Sequence, residues 1–260
     1  MSAPRRAAVI GHPIAHSKSP ALFARFAAAS GVDLTYEAVD VKPEQLAPTL
    51  ARWRADAAFV GCNVTLPHKE RALELADVVE PAARACGAAN VLTRVGETLV
   101  ADNTDVVGVE AALKQRGIAL RGARVAILGA GGAARAVAEA ARRSGAASIV
   151  VAARKLSKAQ AVASDFGATA CDLDEVPRAT IYVNATPVGM QGQPQRSLLP
   201  RDAPAGAIAF DLVYVPEQTP FLLDAKMRGL RTVSGTAMFR AQAIATFERW
   251  FGFAPKEQLV

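Results

Sequence analysis

The chain has 260 residues, 51% of them hydrophobic, and a formal net charge of +6. That length exceeds one minimal domain and suits two of moderate size, each able to bury a core. The basic residues are scattered, with no long basic run and no interleaved aromatics, which argues against a nucleic-acid partner.

Cys62, Cys86 and Cys171 are widely spaced and form neither a CxxC pair nor a Cys–His cluster. This usage indicates no disulfide framework and no zinc site, and it fits a reducing compartment. After Arg5 and Arg6 the apolar run Ala7 to Ile10 is too short for a signal-peptide core or a twin-arginine signal. No stretch of about 20 apolar residues is present to cross a bilayer. The expectation is a cytoplasmic protein with no membrane partner and no metal.

Ala7 to Gly11 reads as a buried strand. Ser19 and Pro20 then cap a helix with Leu22, Phe23 and Phe26 on one face, ending near Gly31. Leu34 to Val41 is a second strand, Pro43 to Asp56 a helix with Leu46, Leu50 and Trp53 inward, and Ala58 to Val64 a third strand. Pro67 opens the next helix. This β-α-β-α-β order implies parallel pairing and an α/β fold. A second series starts at Arg124 to Gly129 and continues with a helix from Ala133 to Arg143 and a strand from Ser148 to Ala152. A helix from Ser157 to Phe166 follows, then strands at Thr180 to Asn184 and Ala207 to Leu212. The closing helix, Ala237 to Phe251, has no strand after it. The boundary is expected near Asp105 to Val109, with residues 1–105 and 237–260 as one domain and 106–236 as the other.

Leu128-Gly129-Ala130-Gly131-Gly132-Ala133-Ala134 is strand, glycine turn, helix. The first glycine allows the tight turn, Gly131 lets backbone approach a pyrophosphate, and Ala134 takes the third small position for helix–strand packing. The helix N-terminus offers N–H groups to the phosphates. An NAD site usually carries an acid roughly 20 residues on, at the end of the second strand. Here Ala153, Arg154 and Lys155 stand there, with Lys158 beyond and no acid. An Asp would repel a 2′-phosphate, whereas Arg154 can grip one with its planar fork; the pattern selects NADP.

A further set of motifs runs along the chain in order. It comprises Gly11 to Pro20 with the paired Ser17 and Ser19, Asn63 to Lys69, Gly87 to Asn90, and Asp102 to Asp105. The glycine turn, Asn184 to Met190, Asp211 to Tyr214 and Gly235 to Gln242 follow. Together they resemble the shikimate/quinate dehydrogenase family over nearly the whole chain. The resemblance implies an N-terminal α/β substrate domain, a Rossmann-like NADP-binding domain, a cleft between them, and a closing helix that returns to the first. It implies reversible NADPH-dependent reduction of 3-dehydroshikimate to shikimate, on the way to chorismate and the aromatic amino acids.

On matching positions, Ser17 and Ser19 would bind the substrate carboxylate, and Thr65, Asn90, Asp105, Tyr214 and Gln242 would surround the ring and its hydroxyls. Lys69 would be the catalytic residue, with Asp105 beside it. Gly129, Ala130, Gly131, Gly132, Ala133, Arg154, Lys155, Lys158 and Thr186 would hold NADP, and Leu212 and Gly235 would lie near its nicotinamide. The sequence departs from the family pattern at Ala153 and Lys155, at Val91, at Val106 and at Arg240. A quinate or dual quinate/shikimate dehydrogenase is the near alternative. A non-catalytic dinucleotide-sensing protein is the distant one, disfavoured because it needs neither Lys69 nor Asp105. The three histidines, His12, His16 and His68, are candidates by chemistry alone, and His12 and His16, beside the serine turn, read as local packing or hydrogen-bonding groups.

Overall fold

The structure, a computed structural model, describes residues 4–256. It divides into two compact units, one running up to Thr104 and resuming at Gln242, the other Asp105–Ala241. Among the described residues no helix is long and apolar enough to cross a membrane.

The first unit holds strands β1 (Arg5–Gly11), β2 (Leu34–Asp40) and β3 (Phe59–Val64), separated by helices α1 (Ser19–Ser30) and α2 (Leu46–Arg54). As the alternation of strand and helix dictates, β1 pairs in parallel with both β2 and β3. Beyond β3 come α3 (Lys69–Glu74), β4 (Val78–Val79), α4 (Pro81–Cys86), β5 (Val91–Val95) and β6 (Thr98–Asp102). Of these, only a helix after Pro67 is foreseen by the apolar pattern. Strands β5 and β6 form a hairpin antiparallel to each other and to β3, so the sheet, in order β2-β1-β3-β5-β6-β4, is mixed. The two strands are joined at Gly96, whose φ of 62° suits the tight reversal.

Several sequence expectations shift at their edges, three of them for a local reason. Ser19 is the first helical residue of α1 rather than its cap; Lys18 occupies the cap position, and the Ser19 N–H donates to Ser17 Oγ (3.3 Å). The helix foreseen over Pro43 to Asp56 is a 3-10 turn, Pro43–Gln45, leading into α2. Pro67 lies before α3, because the His68 N–H donates to the Thr65 carbonyl and closes a turn that delays the helix to Lys69.

Leu46, Leu50 and Trp53 of α2 pack with Ala8, Ile10, Phe59, Cys62 and Leu92 into one core. An aromatic group forms a second: Phe23 stacks on Tyr36 with centroids 4.2 Å apart, and Phe26 and Phe247 meet edge to face. Each fully buried ring of this kind contributes about 2–3 kcal/mol by removal from water.

The second unit opens with α5 (Asp105–Gln115) and runs through β7 (Arg124–Leu128), α6 (Gly132–Arg143), β8 (Ser148–Ala152), α7 (Leu156–Phe166) and β9 (Thr169–Cys171). It continues with β10 (Ile181–Asn184), β11 (Ile208–Asp211), α8 (Pro220–Met227) and β12 (Arg231–Val233). The three-residue strands β9 and β12 and helix α8 are too short or too weakly periodic to stand out in the sequence. All pairings are parallel, in the order β12-β11-β10-β7-β8-β9. Read from β9, this is the doubly wound dinucleotide-binding order, which reverses between β7 and β10. The closing helix α9 (Gly235–Phe251) starts in this unit, and its residues from Gln242 onward belong to the first.

Close approach of backbones limits substitution at Gly61 in β3. A Cβ there would stand 2.3 Å from the Leu92 carbonyl oxygen and 2.5 Å from Trp250 Nε1. Gly61→Ala is therefore expected to destabilise the chain by about 1–3 kcal/mol or more through overpacking. Denaturant unfolding measures this, and an unchanged midpoint would show that the β3–β5 spacing yields without cost.

Candidate active site

In the first unit the sequence-predicted residues gather at the carboxyl ends of β1 and β3. The two ends are laced together: Thr65 N–H donates to the Ile10 carbonyl (2.9 Å), and His12 N–H to that of Leu66 (2.9 Å). Ser17 and Ser19 stand in the loop from β1 into α1; Ser19 is buried and Ser17 half-buried. Asn90 leads into β5, where its carbonyl accepts the Val64 N–H at 2.7 Å. Its carboxamide is fixed by Thr104, whose N–H donates to Asn90 Oδ1 (2.7 Å) while Asn90 Nδ2 donates to Thr104 Oγ1 (3.0 Å).

Lys69, half-buried, is the first residue of α3, and its carbonyl accepts the Ala89 N–H at 2.8 Å. The start of that helix is pinned by the buried His68, whose Nε2–H donates to the Val41 carbonyl at 2.6 Å. Asp105 follows directly on Thr104 as the first residue of α5 and is buried. A carboxylate suits a helix start, whereas a lysine there works against the helix dipole.

In the second unit the glycine turn sits at the point where strand order reverses. Gly129 has φ +124°, and a Cβ on it would stand 2.8 Å from the Ala185 carbonyl oxygen, so β7 leaves the sheet hard against the chain leaving β10. Gly131 differs. It is extended, caps α6, and has nothing within 4 Å of where a Cβ would project. The open space lies over the first turn of α6, which carries no acidic residue and no side-chain cap. That arrangement fits a pyrophosphate on free helix N–H groups. Gly132 is buried under the turn, with Ala130 and Ala133 partly exposed around it, and Ala134 packs fully buried behind. At the end of β8, Arg154, Lys155 and Lys158 are exposed and enter no ion pair among the described residues.

Thr186 sits just beyond β10, its hydroxyl donating to Asn184 Oδ1 at 2.7 Å. Leu212 and Gly235 back onto each other: a Cβ on Gly235 would come within 2.5 Å of the Leu212 carbonyl oxygen. Tyr214 is half-buried, its ring stacked on Phe239 at 4.3 Å. The departures Val91 and Val106 are both fully buried, so they act in packing.

A group that sequence reasoning passed over is Asp211, fully buried at the end of β11. It accepts from Thr219 Oγ1 (2.5 Å), Val213 N–H (2.9 Å) and Asn184 Nδ2 (2.9 Å), which ties the exits of β10 and β11 to the start of α8. Burial lifts its carboxyl from 3.8 to about 6, against the downward pull of those three hydrogen bonds. Asp211 and Asn184 stand in motifs visible in the sequence; Thr219 carries no signal.

A parallel sheet in the doubly wound order, open over its glycine turn and cationic at the end of its second strand, fits the class of NADP-binding domains. Residues 9–92 match the shikimate dehydrogenase substrate binding domain, and residues 110–186 match shikimate / quinate 5-dehydrogenase. The shikimate dehydrogenase (NADP(+)) of Brucella abortus (strain S19) is 42% identical over 266 residues, covering 98% of this chain and 92% of that protein. The one from Mesorhizobium japonicum is 41% identical over 264 residues, covering 98% and 94%. The crystal structure of shikimate 5-dehydrogenase from Thermus thermophilus in complex with NADP(H) and shikimate superposes with a TM-score of 0.85 at 41% identity. That alignment covers 96% of this chain and 95% of the other. The chain belongs to the shikimate dehydrogenase family.

The raised Asp211 carboxyl has a consequence for stability. Below about pH 4 it is neutral both folded and unfolded. As pH rises towards 6 the unfolded chain gives up the proton first, so folding stability is lost across that window, by about 3 kcal/mol for a gap of this size. Asp211→Asn removes the titration. Its stability relative to the parent is expected to rise by about that amount between about pH 4 and pH 7, read from denaturant unfolding; a pH-independent difference would contradict this.

Proposed function

We propose that this chain catalyses the reversible NADPH-dependent reduction of 3-dehydroshikimate to shikimate, a step towards chorismate and the aromatic amino acids. The observation that carries the reading is the relationship over 98% of the chain to NADP(+)-dependent shikimate dehydrogenases. The relatives' named activity is on shikimate, so quinate is not favoured as the substrate. In this reading the two compact units are the substrate domain and the NADP domain. We also take the protein to be cytoplasmic and monomeric or homodimeric; none of its three cysteines forms a disulfide, and Cys62 and Cys86 are buried.

The residue roles are those the family resemblance implies, and the chemistry of each side chain suits its role. Ser17 and Ser19 present two hydroxyls, one residue apart in a helix-entry loop, which suits a carboxylate. Thr65, Asn90, Tyr214 and Gln242 supply hydroxyl and amide groups for a polyhydroxylated ring. The turn from Gly129 to Ala133 receives the pyrophosphate, and Arg154 with Lys155 and Lys158 takes the 2′-phosphate. Thr186 would help hold NADP, and Leu212 and Gly235 would lie near its nicotinamide. When bound, NADPH supplies the hydride. Lys69 then gives a proton to the oxygen of the reduced carbonyl, or takes it in the reverse direction, and Asp105 orients the ammonium and accepts from a substrate hydroxyl. A cation at the first position of α3 opposes the helix dipole, and a proton-transfer role gives it a reason to stand there.

The direct test is reduction of NADP by the purified chain with shikimate and with quinate: activity on shikimate is expected, and activity on quinate alone would overturn the substrate. Lys69→Ala is expected to lower turnover by roughly 10²–10⁴-fold with NADP affinity retained, as for loss of one general acid–base group. Turnover like that of the parent would remove Lys69 from the mechanism. Arg154→Ala is expected to reduce the preference for NADP over NAD by about 10- to 100-fold, the range for one charge-assisted hydrogen-bonding group. Steady-state kinetics with both dinucleotides read this, and an unchanged preference would assign the 2′-phosphate elsewhere.

A further inference from the structure

Within the first unit a chain of buried polar side chains ends on Asn90. Its hub is Thr246, fully buried in α9, one helical turn beyond Gln242. The Thr246 hydroxyl donates to the Gln242 carbonyl (2.9 Å), accepts from Asn63 Nδ2 (3.2 Å), and lies 3.2 Å from Thr104 Oγ1. Asn63 is held in turn by the Tyr36 hydroxyl, which donates to its Oδ1 at 2.8 Å.

The count of protons sets the direction of this chain. A hydroxyl has one proton to donate. Thr246 gives its own to Gln242, so in the Thr104–Thr246 pair the donor is Thr104. Thr104 Oγ1 then gives up its longer option, Asn90 Oδ1 at 3.3 Å, and accepts from Asn90 Nδ2. Asn90 Oδ1 is left to the Thr104 N–H. The Thr104 N–H sets which side of the Asn90 carboxamide carries the oxygen, and Thr246 sets the Thr104 hydroxyl to accept from the other side, Asn90 Nδ2. A reversed amide would set its NH2 against the Thr104 N–H and its oxygen against a hydroxyl already committed to Thr246, leaving buried groups unsatisfied, which is costly in a dry interior.

We propose that Thr246 is a positioning residue for substrate: its hydroxyl holds Thr104 Oγ1 as the acceptor for Asn90 Nδ2 and ties down the helical turn that begins at Gln242. This inference rests on the reading of Asn90 and Gln242 as substrate contacts. Thr246 contributes no atom to the substrate. It acts through the other two.

The test compares Thr246→Val, which keeps the shape and removes the hydroxyl, with Thr246→Ser, which keeps the hydroxyl and removes the methyl. Thr246→Val is expected to raise KM for shikimate about tenfold and leave KM for NADP within about twofold, while Thr246→Ser stays within about threefold of the parent, as for loss and retention of one buried hydrogen-bonding group. Thr104→Val removes the neighbouring hydroxyl from a different segment and is expected to give the same split; it supplies the readout if Thr246→Val does not fold. An unchanged shikimate KM in a folded Thr246→Val, or equal impairment of the Val and Ser variants, overturns the inference. Asn90→Ala and Gln242→Ala are measured alongside. If Asn90→Ala is impaired and Thr246→Val is not, the inference alone fails; if neither alanine variant changes shikimate KM, the underlying reading fails and takes the inference with it.

Discussion

The second unit depends on one close approach of backbone to backbone. At Gly129 the chain leaves β7 with φ +124°, so near to Ala185 that a side chain would need the space of a carbonyl oxygen. Only glycine meets both demands. The consequence is geometric: β7 and β10 part at the reversal of strand order, α6 starts at once, and its N–H groups face an open space over Gly131. Crevices of this kind at the carboxyl ends of parallel strands are where doubly wound sheets take their ligands. The alanine-rich face of α6, buried from Ala134 to Ala141, lets the helix lie close enough to the sheet to sustain the arrangement.

The two units use the same device on different residues. Each holds a hydrogen-bonded buried polar cluster: Tyr36, Asn63, Thr246, Thr104 and Asn90 in one, Asn184, Asp211 and Thr219 in the other. Such clusters add little net stability, yet they penalise any rearrangement that strands a donor or acceptor. They hold flanking backbone in one conformation, and the residues assigned to ligand contact are their neighbours or members. Asp211 shows the cost. Its carboxyl is taken fully out of water, and the hydrogen bonds that fix the loop after β11 only partly offset that.

What periodicity and glycine chemistry expose is legible in the sequence. Strands with unbroken apolar runs, such as Val125 to Leu128, and long helices ending at a left-handed glycine, such as α1 at Gly31, stand at or within a residue or two of where the pattern puts them. The β5–β6 hairpin is not legible, because Thr93, Arg94 and Thr98 break its alternation and its edge partner β4 has two residues. Of the site, the residues in recognisable motifs can be named from sequence. The groups that hold them cannot. Thr246 sits in a helix of ordinary composition, and Thr219 in a loop, and a hydrogen-bond partner 142 residues away leaves no local trace. His68 is a candidate by chemistry alone in the sequence, and its partner at Val41 is visible only in the fold.

At the centre of the proposed chemistry is a hydride moving between the ring carbon that bears the reacting hydroxyl and the nicotinamide of NADP. Shikimate carrying deuterium on that carbon, incubated with the purified chain and NADP, follows the transfer directly by mass spectrometry. Deuterium in the reduced dinucleotide is the predicted result. Dinucleotide reduced without the label, or label lost to water, would contradict it.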